Sequence, residues 1–252
     1  MLKEGLFERY KPEAAFALHA EPALRTGEIG IRSGALRAGS DAYRILVKGM
    51  QTHGAKPWNG VDPIVTAAQI VTSLQTIVSR QVDITANPAV VTVGAIKGGI
   101  RSNIIPDTVE MIGTIRSFDP AQRAQILVGV TRIVENVAAA NGATATFELA
   151  TDGNPVTFND PALMARMLPA LRRALGDERV KQIPLLTGAE DFAFFAQRVP
   201  SLYFMLGVTP AERSTLTAAA THSPRFYLDE ASLSVGAHAL TALVVDYLST
   251  PR

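Results

Sequence analysis

The chain has 252 residues, with 24 Lys and Arg against 23 Asp and Glu and a net charge of +1. That balance gives no electrostatic case for nucleic acid or an anionic membrane as a partner, and 47% hydrophobic with 19% charged residues excludes a disordered chain. Cysteine is absent, which removes disulfides, iron–sulfur clusters, thiolate zinc sites and a Cys nucleophile, and leaves four histidines for acid–base or metal work.

Met1 to Tyr10 reads as a short helical piece of mixed charge. Ala14-Ala15-Phe16-Ala17-Leu18-His19 is a continuous apolar run that predicts a buried strand. Glu28 to Arg32 and Asp41 to Val47 alternate and predict two more strands. Asp62-Pro63 predicts a helix start, with Asp62 as N-cap and Pro63 at the first helical position. Ile64, Ala67, Val71, Leu74 and Val78 follow at helical spacing up to Arg80. Ala89 to Ile96 is a strand broken by Lys97-Gly98-Gly99, and Thr108 to Ser117 is another. Asp119-Pro120 opens a helix to about Ala140, stopped by Asn141-Gly142, and a strand follows from Ala143 to Ala150. Asp160-Pro161 opens a third helix to about Leu175. Gln182 to Leu186 is a short strand, Phe192 to Gln197 a helical piece and Ser201 to Gly207 a buried strand. Asp229-Glu230 opens the last helix, to about Leu248.

The order β-α-β-β-α-β over 38–151 predicts a ferredoxin-like module, with helices on one face and an open face and edges for a partner. Residues 1–37 and 152–252 predict two pieces of one α/β domain around it. No stretch reaches the roughly 20 consecutive apolar residues of a membrane span. The start Met1-Leu2-Lys3-Glu4-Gly5 lacks the apolar core of a signal peptide, so the expected location is the cytoplasm.

His19 ends an apolar strand, where α/β sheets collect ligands, and the competing reading is a packed core histidine. His222 lies in a polar loop before Ser223-Pro224. Neither makes a metal site alone, since a catalytic zinc takes about three protein ligands. His53 lies in a loop of the inserted module, where a solvated histidine is the alternative. Asn103 suits an amide or carboxylate and Arg116 a bidentate carboxylate clamp, against a turn Asn and an ion-paired Arg. Glu190-Asp191 precede a helix, where acidic residues also serve the dipole. His238 reads as structural, and Trp58 beside Pro57 as packing or a loop anchor.

Ala17-Leu18-His19, Thr52-His53-Gly54-Ala55-Lys56-Pro57, Gly60-Val61-Asp62-Pro63, Ser79-Arg80, Ser102-Asn103-Ile104-Ile105-Pro106-Asp107, Gly113-Thr114-Ile115-Arg116, Glu190-Asp191-Phe192 and His222-Ser223-Pro224 occur in that order. This set resembles the M20 metallopeptidase family, in its amidohydrolase branch of hippurate, N-acyl-amino-acid and auxin-conjugate hydrolases. The resemblance implies a zinc-peptidase-like α/β catalytic domain with an inserted ferredoxin-like lid that dimerises. It implies two divalent metal ions, zinc or manganese, and a small N-acyl amino acid as substrate. It carries metal ligation onto His19 and His222, polarisation of the scissile carbonyl in the partner subunit's site onto His53, and the substrate carboxylate onto Asn103 and Arg116. It gives Glu190 and Asp191 no firm role.

Upstream of its leucine–histidine strand the family carries a Cys-Gly-His-Asp metal motif and a Glu-Glu pair that contains the catalytic base. This sequence has no Cys, no His before His19 and no Glu-Glu. The resemblance therefore predicts the C-terminal part of the enzyme, truncated and inactive by itself, with weakened metal binding. The rival reading is a non-catalytic dimerisation or binding module that keeps the lid interface. A ferredoxin-like RNA binder lacks the basic excess and the aromatic stacking pairs it requires.

Overall fold

The computed structural model describes residues 1–151 and 153–249. Asp152 and residues 250–252, which fall in the expected second piece of the α/β domain, lie outside them. In chain order the elements are α1 (Leu6–Tyr10), β1 (Ala15–Arg25), β2 (Ile29–Ile31), β3 (Gly34–Arg37), β4 (Gly39–Lys48), β5 (Thr52–His53) and α2 (Pro63–Thr76). Then come β6 (Ala89–Gly98), β7 (Ile104–Ile105), β8 (Thr108–Ser117), α3 (Pro120–Ala140), β9 (Thr144–Leu149), β10 (Thr157–Asn159) and α4 (Pro161–Leu175). The last are β11 (Val180–Gln182), α5 (Ala193–Ala196), β12 (Ser201–Thr209) and α6 (Ala231–Ser249). The fold is mixed α/β.

The three Asp-Pro starts cap their helices as expected. Asp62 accepts from the backbone N–H of Ile64 at 2.8 Å, Asp119 from Gln122 at 2.7 Å and Asp160 from Leu163 at 2.7 Å. Each proline sits where its missing N–H costs nothing. Gly142, at φ +72°, takes the left-handed turn that ends α3.

The chain divides into two compact units. The first comprises 1–37, 157–186 and 190–252. Its sheet runs β1-β12-β2-β11, with β1 parallel to β12, β12 antiparallel to β2 and β2 parallel to β11. β12 is buried along its whole length. Leu202, Phe204, Leu206 and Val208 face a core shared with Leu163, Met167 and Leu171 of α4 and Ala239 and Leu243 of α6. Tyr203 and Met205 point to the opposite face, with Leu36 and Ile183. β11 ends at Gln182, where the expected strand of Gln182 to Leu186 begins, so the two share one residue: the parallel ladder with Ile29–Ile31 is made by Val180 to Gln182.

Two expectations are corrected here. The apolar run Ala15 to Leu18 is half-buried, because β1 is the sheet's edge and pairs with β12 alone among the described residues. And α6 is long and apolar enough to cross a membrane by length and composition, with a mean hydropathy of 1.4. In the structure its Gly236 lies against β1 and β12, where an added Cβ would come within 3.0 Å of Leu18 and Leu206.

The second unit comprises 38–156 and 187–189. Its antiparallel sheet runs β6-β8-β4-β9, with α2 between β4 and β6 and α3 between β8 and β9. This is the split-βαβ strand order. Val109, Met111 and Ile115 of β8 and Tyr43, Ile45 and Val47 of β4 meet Ile70 and Leu74 of α2 and Ile126 and Val130 of α3 in one core. The other sheet face carries no helix of this unit, and Val90 and Ile112 are exposed on it. β6 bulges at Gly94 and continues through Lys97 and Gly98, which the sequence assigns to a break, because both pair with β8. Tyr43 donates its hydroxyl to Thr92 O at 2.9 Å, and burial pushes its pKa up to about 12. Gly113 makes room for that ring: a Cβ there would lie 2.4 Å from Tyr43 Cζ and 2.0 Å from Thr92 O. Trp58 is 76% exposed, so the packing expected of it is not found.

Candidate active site

His19 sits on β1 directly beside Met205 of β12, and Ala17 sits beside Tyr203. Side chains alternate along a strand, so His19 shares the sheet face of Tyr203 and Met205, away from α4 and α6. Its Nδ1 lies 2.7 Å from Ala20 O. That contact makes Nδ1 the protonated nitrogen and leaves the Nε2 lone pair free, the arrangement a metal-ligating imidazole needs. His222 is exposed in the loop after β12. Because β1 and β12 run parallel, that loop leaves the sheet at the end toward which the His19 strand runs.

A cluster occupies the same face. Glu190 Oε2 accepts from the Tyr203 hydroxyl, and Arg37 Nη1 stands 3.6 Å from the same oxygen. The Phe192 backbone N–H reaches Glu190 Oε1 at 3.4 Å, and the Phe192 ring stacks on Tyr203 at 5.4 Å. Burial alone would raise the Glu190 pKa. The bonds from Tyr203, Asp191 and Phe192, with the Arg37 charge, outweigh it and hold the carboxyl below its ordinary range. Asp191 moves the other way, chiefly through its hydrogen bond to Glu190. Burial first, and then the Glu190 carboxylate, push the Tyr203 hydroxyl well above its usual value. The helix-dipole reading of Glu190 thus covers only one of its oxygens. Its partners Arg37 and Tyr203 escaped sequence reasoning, although a tyrosine inside the apolar run Ser201 to Gly207 marks a buried hydroxyl in need of a partner.

The signs of these shifts give a pH prediction. Glu190 contributes stability above the ordinary carboxylate pKa and loses it as pH falls through its depressed folded value. Asp191 contributes below the ordinary pKa and loses it as pH rises through its raised folded value. Glu190→Gln removes the charged carboxylate that sets the shift of both groups. Urea midpoints measured between about pH 3 and 7 should show a flattened acid limb in this variant; a limb identical to the parent's contradicts the assignment.

In the second unit, β5 pairs with β7, His53 opposite Ile104. The Gly54 N–H donates to Asn103 O at 2.8 Å, so the fold brings His53 and Asn103 together. His53 is exposed, and its Nδ1 accepts from the Ala55 N–H at 3.0 Å. The proton is therefore on Nε2, pointing a neutral donor outward. This is the reverse of His19 and suits hydrogen bonding to a carbonyl oxygen. Arg116 lies on the helix-free face of β8, between Ser40 of β4 and Val90 of β6. His238 is exposed on α6.

Among the described residues, no three His, Cys, Asp or Glu side chains converge as a metal site. The His19 tautomer fits a ligand, but the donors present do not make a mononuclear site, still less a dinuclear one.

The family model described as peptidase family M20/M25/M40 matches residues 1–246. The chain belongs to this family. M20 relatives include the N-acetylcysteine deacetylase of Bacillus subtilis, 34% identical over 94% of this chain and 60% of that protein. The N-acetyldiaminopimelate deacetylase of Leuconostoc citreum is 32% identical over 98% of this chain and 62% of that protein. Among solved structures, the Bacillus subtilis YXEP protein, a dinuclear metal-binding peptidase of the M20 family, matches with a TM-score of 0.77 and 30% identity, over 99% of this chain and 61% of that one. Two divalent metals thus belong to the M20 family. The chain spans between 55 and 62% of the length of such curated relatives. These shares measure extent and not position, so a match to the C-terminal part alone is not borne out by them.

Proposed function

We propose that this chain is the metal- and substrate-contacting portion of an M20 amidohydrolase that cleaves N-acyl amino acids, and that alone it does not turn over. The observation that carries the reading is the shared chemistry of relatives about a third identical: both deacetylases named above remove an acetyl group from an amino-acid nitrogen. On this reading the first unit is part of the catalytic domain and the second is the lid, through which two copies pair, in the cytoplasm. His19 and His222 supply metal ligands. His53 donates an Nε2–H hydrogen bond to the scissile carbonyl in the partner subunit's site as negative charge develops on that oxygen. The Asn103 amide and the Arg116 guanidinium hold the carboxylate of the amino acid. The water-activating base and the remaining ligands are not among these residues, which is why no turnover is expected.

A zinc titration of the chain tests the ligand assignment. Zinc should bind weakly and saturably, and His19→Ala and His222→Ala should each weaken it by about tenfold or more. Binding indifferent to both substitutions contradicts the assignment and favours the non-catalytic module.

A further inference from the structure

The loop after β12 borders an open pocket of about 350 Å³, within the size range of small-molecule sites. Arg213, Arg225, Ser214 and Thr217 line it, with the Tyr227 ring and two alanines. No carboxylate lines it, and among the described residues neither arginine is ion-paired, whereas Arg123, Arg172, Arg173 and Arg179 all are. Arg213 is held in place: its guanidinium carbon lies 3.9 Å from the Tyr227 ring centroid. Stacking covers one face of a guanidinium and leaves its edge N–H donors free. The loop is tied down from β1, where Arg25 donates to Ala211 O at 3.0 Å and Arg213 O at 3.3 Å. Ser214 Oγ already accepts from the Leu216 N–H at 3.3 Å, so its hydroxyl proton remains to donate.

We propose that this cavity binds a small organic carboxylate. Two unpaired guanidiniums and a donating hydroxyl suit the carboxylate oxygens, and Tyr227, Ala218 and Ala219 suit a short aliphatic body. The site needs neither metal nor turnover, so it stands or falls apart from the hydrolase reading. The carboxylate is either a free dicarboxylate or the far end of an acidic acyl group on an amide.

Calorimetry on EDTA-treated chain tests it, with sodium glutarate, N-glutaryl-glycine, glutaramide and inorganic phosphate as probes. Glutarate should saturate one site with a Kd of about 1 mM or tighter. Arg213→Gln and Arg225→Gln should each weaken it by about tenfold, with unchanged melting temperatures because both side chains are exposed. Glutaramide should not bind. N-glutaryl-glycine binding with the same arginine dependence assigns the acyl source; binding of glutarate alone assigns the free acid. No saturation by about 20 mM glutarate overturns the proposal, as does glutarate binding indifferent to both substitutions or phosphate binding as tightly as glutarate.

Discussion

Asn159→Leu should destabilise the first unit by about 3–5 kcal/mol. Asn159 is fully buried at the end of β10. Its Oδ1 accepts from the Tyr203 N–H at 2.7 Å, and its Nδ2 donates to Tyr203 O at 2.9 Å and Arg32 O at 2.7 Å. One side chain thus does for Tyr203 what a neighbouring strand would do, satisfying both backbone groups on that side of β12. Leucine has the same branched outline, is bulkier, and pairs with none of them. Three backbone groups then lose their partners, at about 1–3 kcal/mol for each that water cannot reach. The damage should extend to Glu190, because the same tyrosine holds its carboxylate. Chemical denaturation checks the loss. A variant within about 1 kcal/mol of the parent would mean that water or a backbone shift replaces these bonds.

Arg123→Met should cost the second unit about 3 kcal/mol, near the lower end of what breaking a buried pair costs. Asp41 is 2% exposed and sits on the core-facing side of β4, in line with Tyr43, Ile45 and Val47. Arg123, from the first turn of α3, grips it with Nε to Oδ2 at 2.7 Å and Nη2 to Oδ1 at 2.6 Å. Methionine keeps the aliphatic stem and leaves the carboxylate charged and alone in the core. The arginine is 36% exposed, so the reverse change, Asp41→Leu, strands no buried charge and should cost less. The double variant should recover most of the loss. Thermal melts of the three proteins decide it; equal losses in both single variants would contradict the burial argument.

Local signals carried much of this fold in the sequence. Each Asp-Pro pair starts a helix because both the cap and the proline act within one turn. The strands of the second unit alternate because one sheet face is packed and the other has no helix on it, and Thr108 to Ser117 is read to the residue. What failed was non-local. The apolar run at Ala15 looks like an interior strand, and only the sheet order reveals an edge. Glu190 meets Tyr203 across 13 residues and Arg37 across a far longer stretch of chain, and no spacing rule joins them. Asn159 reaches Tyr203 over 44 residues. Asn103 and His53 come together through the short β5–β7 pairing, which carries too few residues to leave a periodic trace. The two histidine tautomers are legible only from neighbouring backbone groups in the folded chain.

The central claim is that this chain contacts an N-acyl amino acid but lacks the group that activates water. One proton NMR time course tests both halves, on the chain with zinc and N-acetylmethionine. Saturation transfer from protein to the acetyl methyl reports binding, and the free acetate resonance reports cleavage. The account predicts transfer that fades in Arg116→Gln, with no acetate above the protein-free blank. Acetate that accumulates with the chain and stops on adding EDTA would contradict it, as would the absence of any transfer.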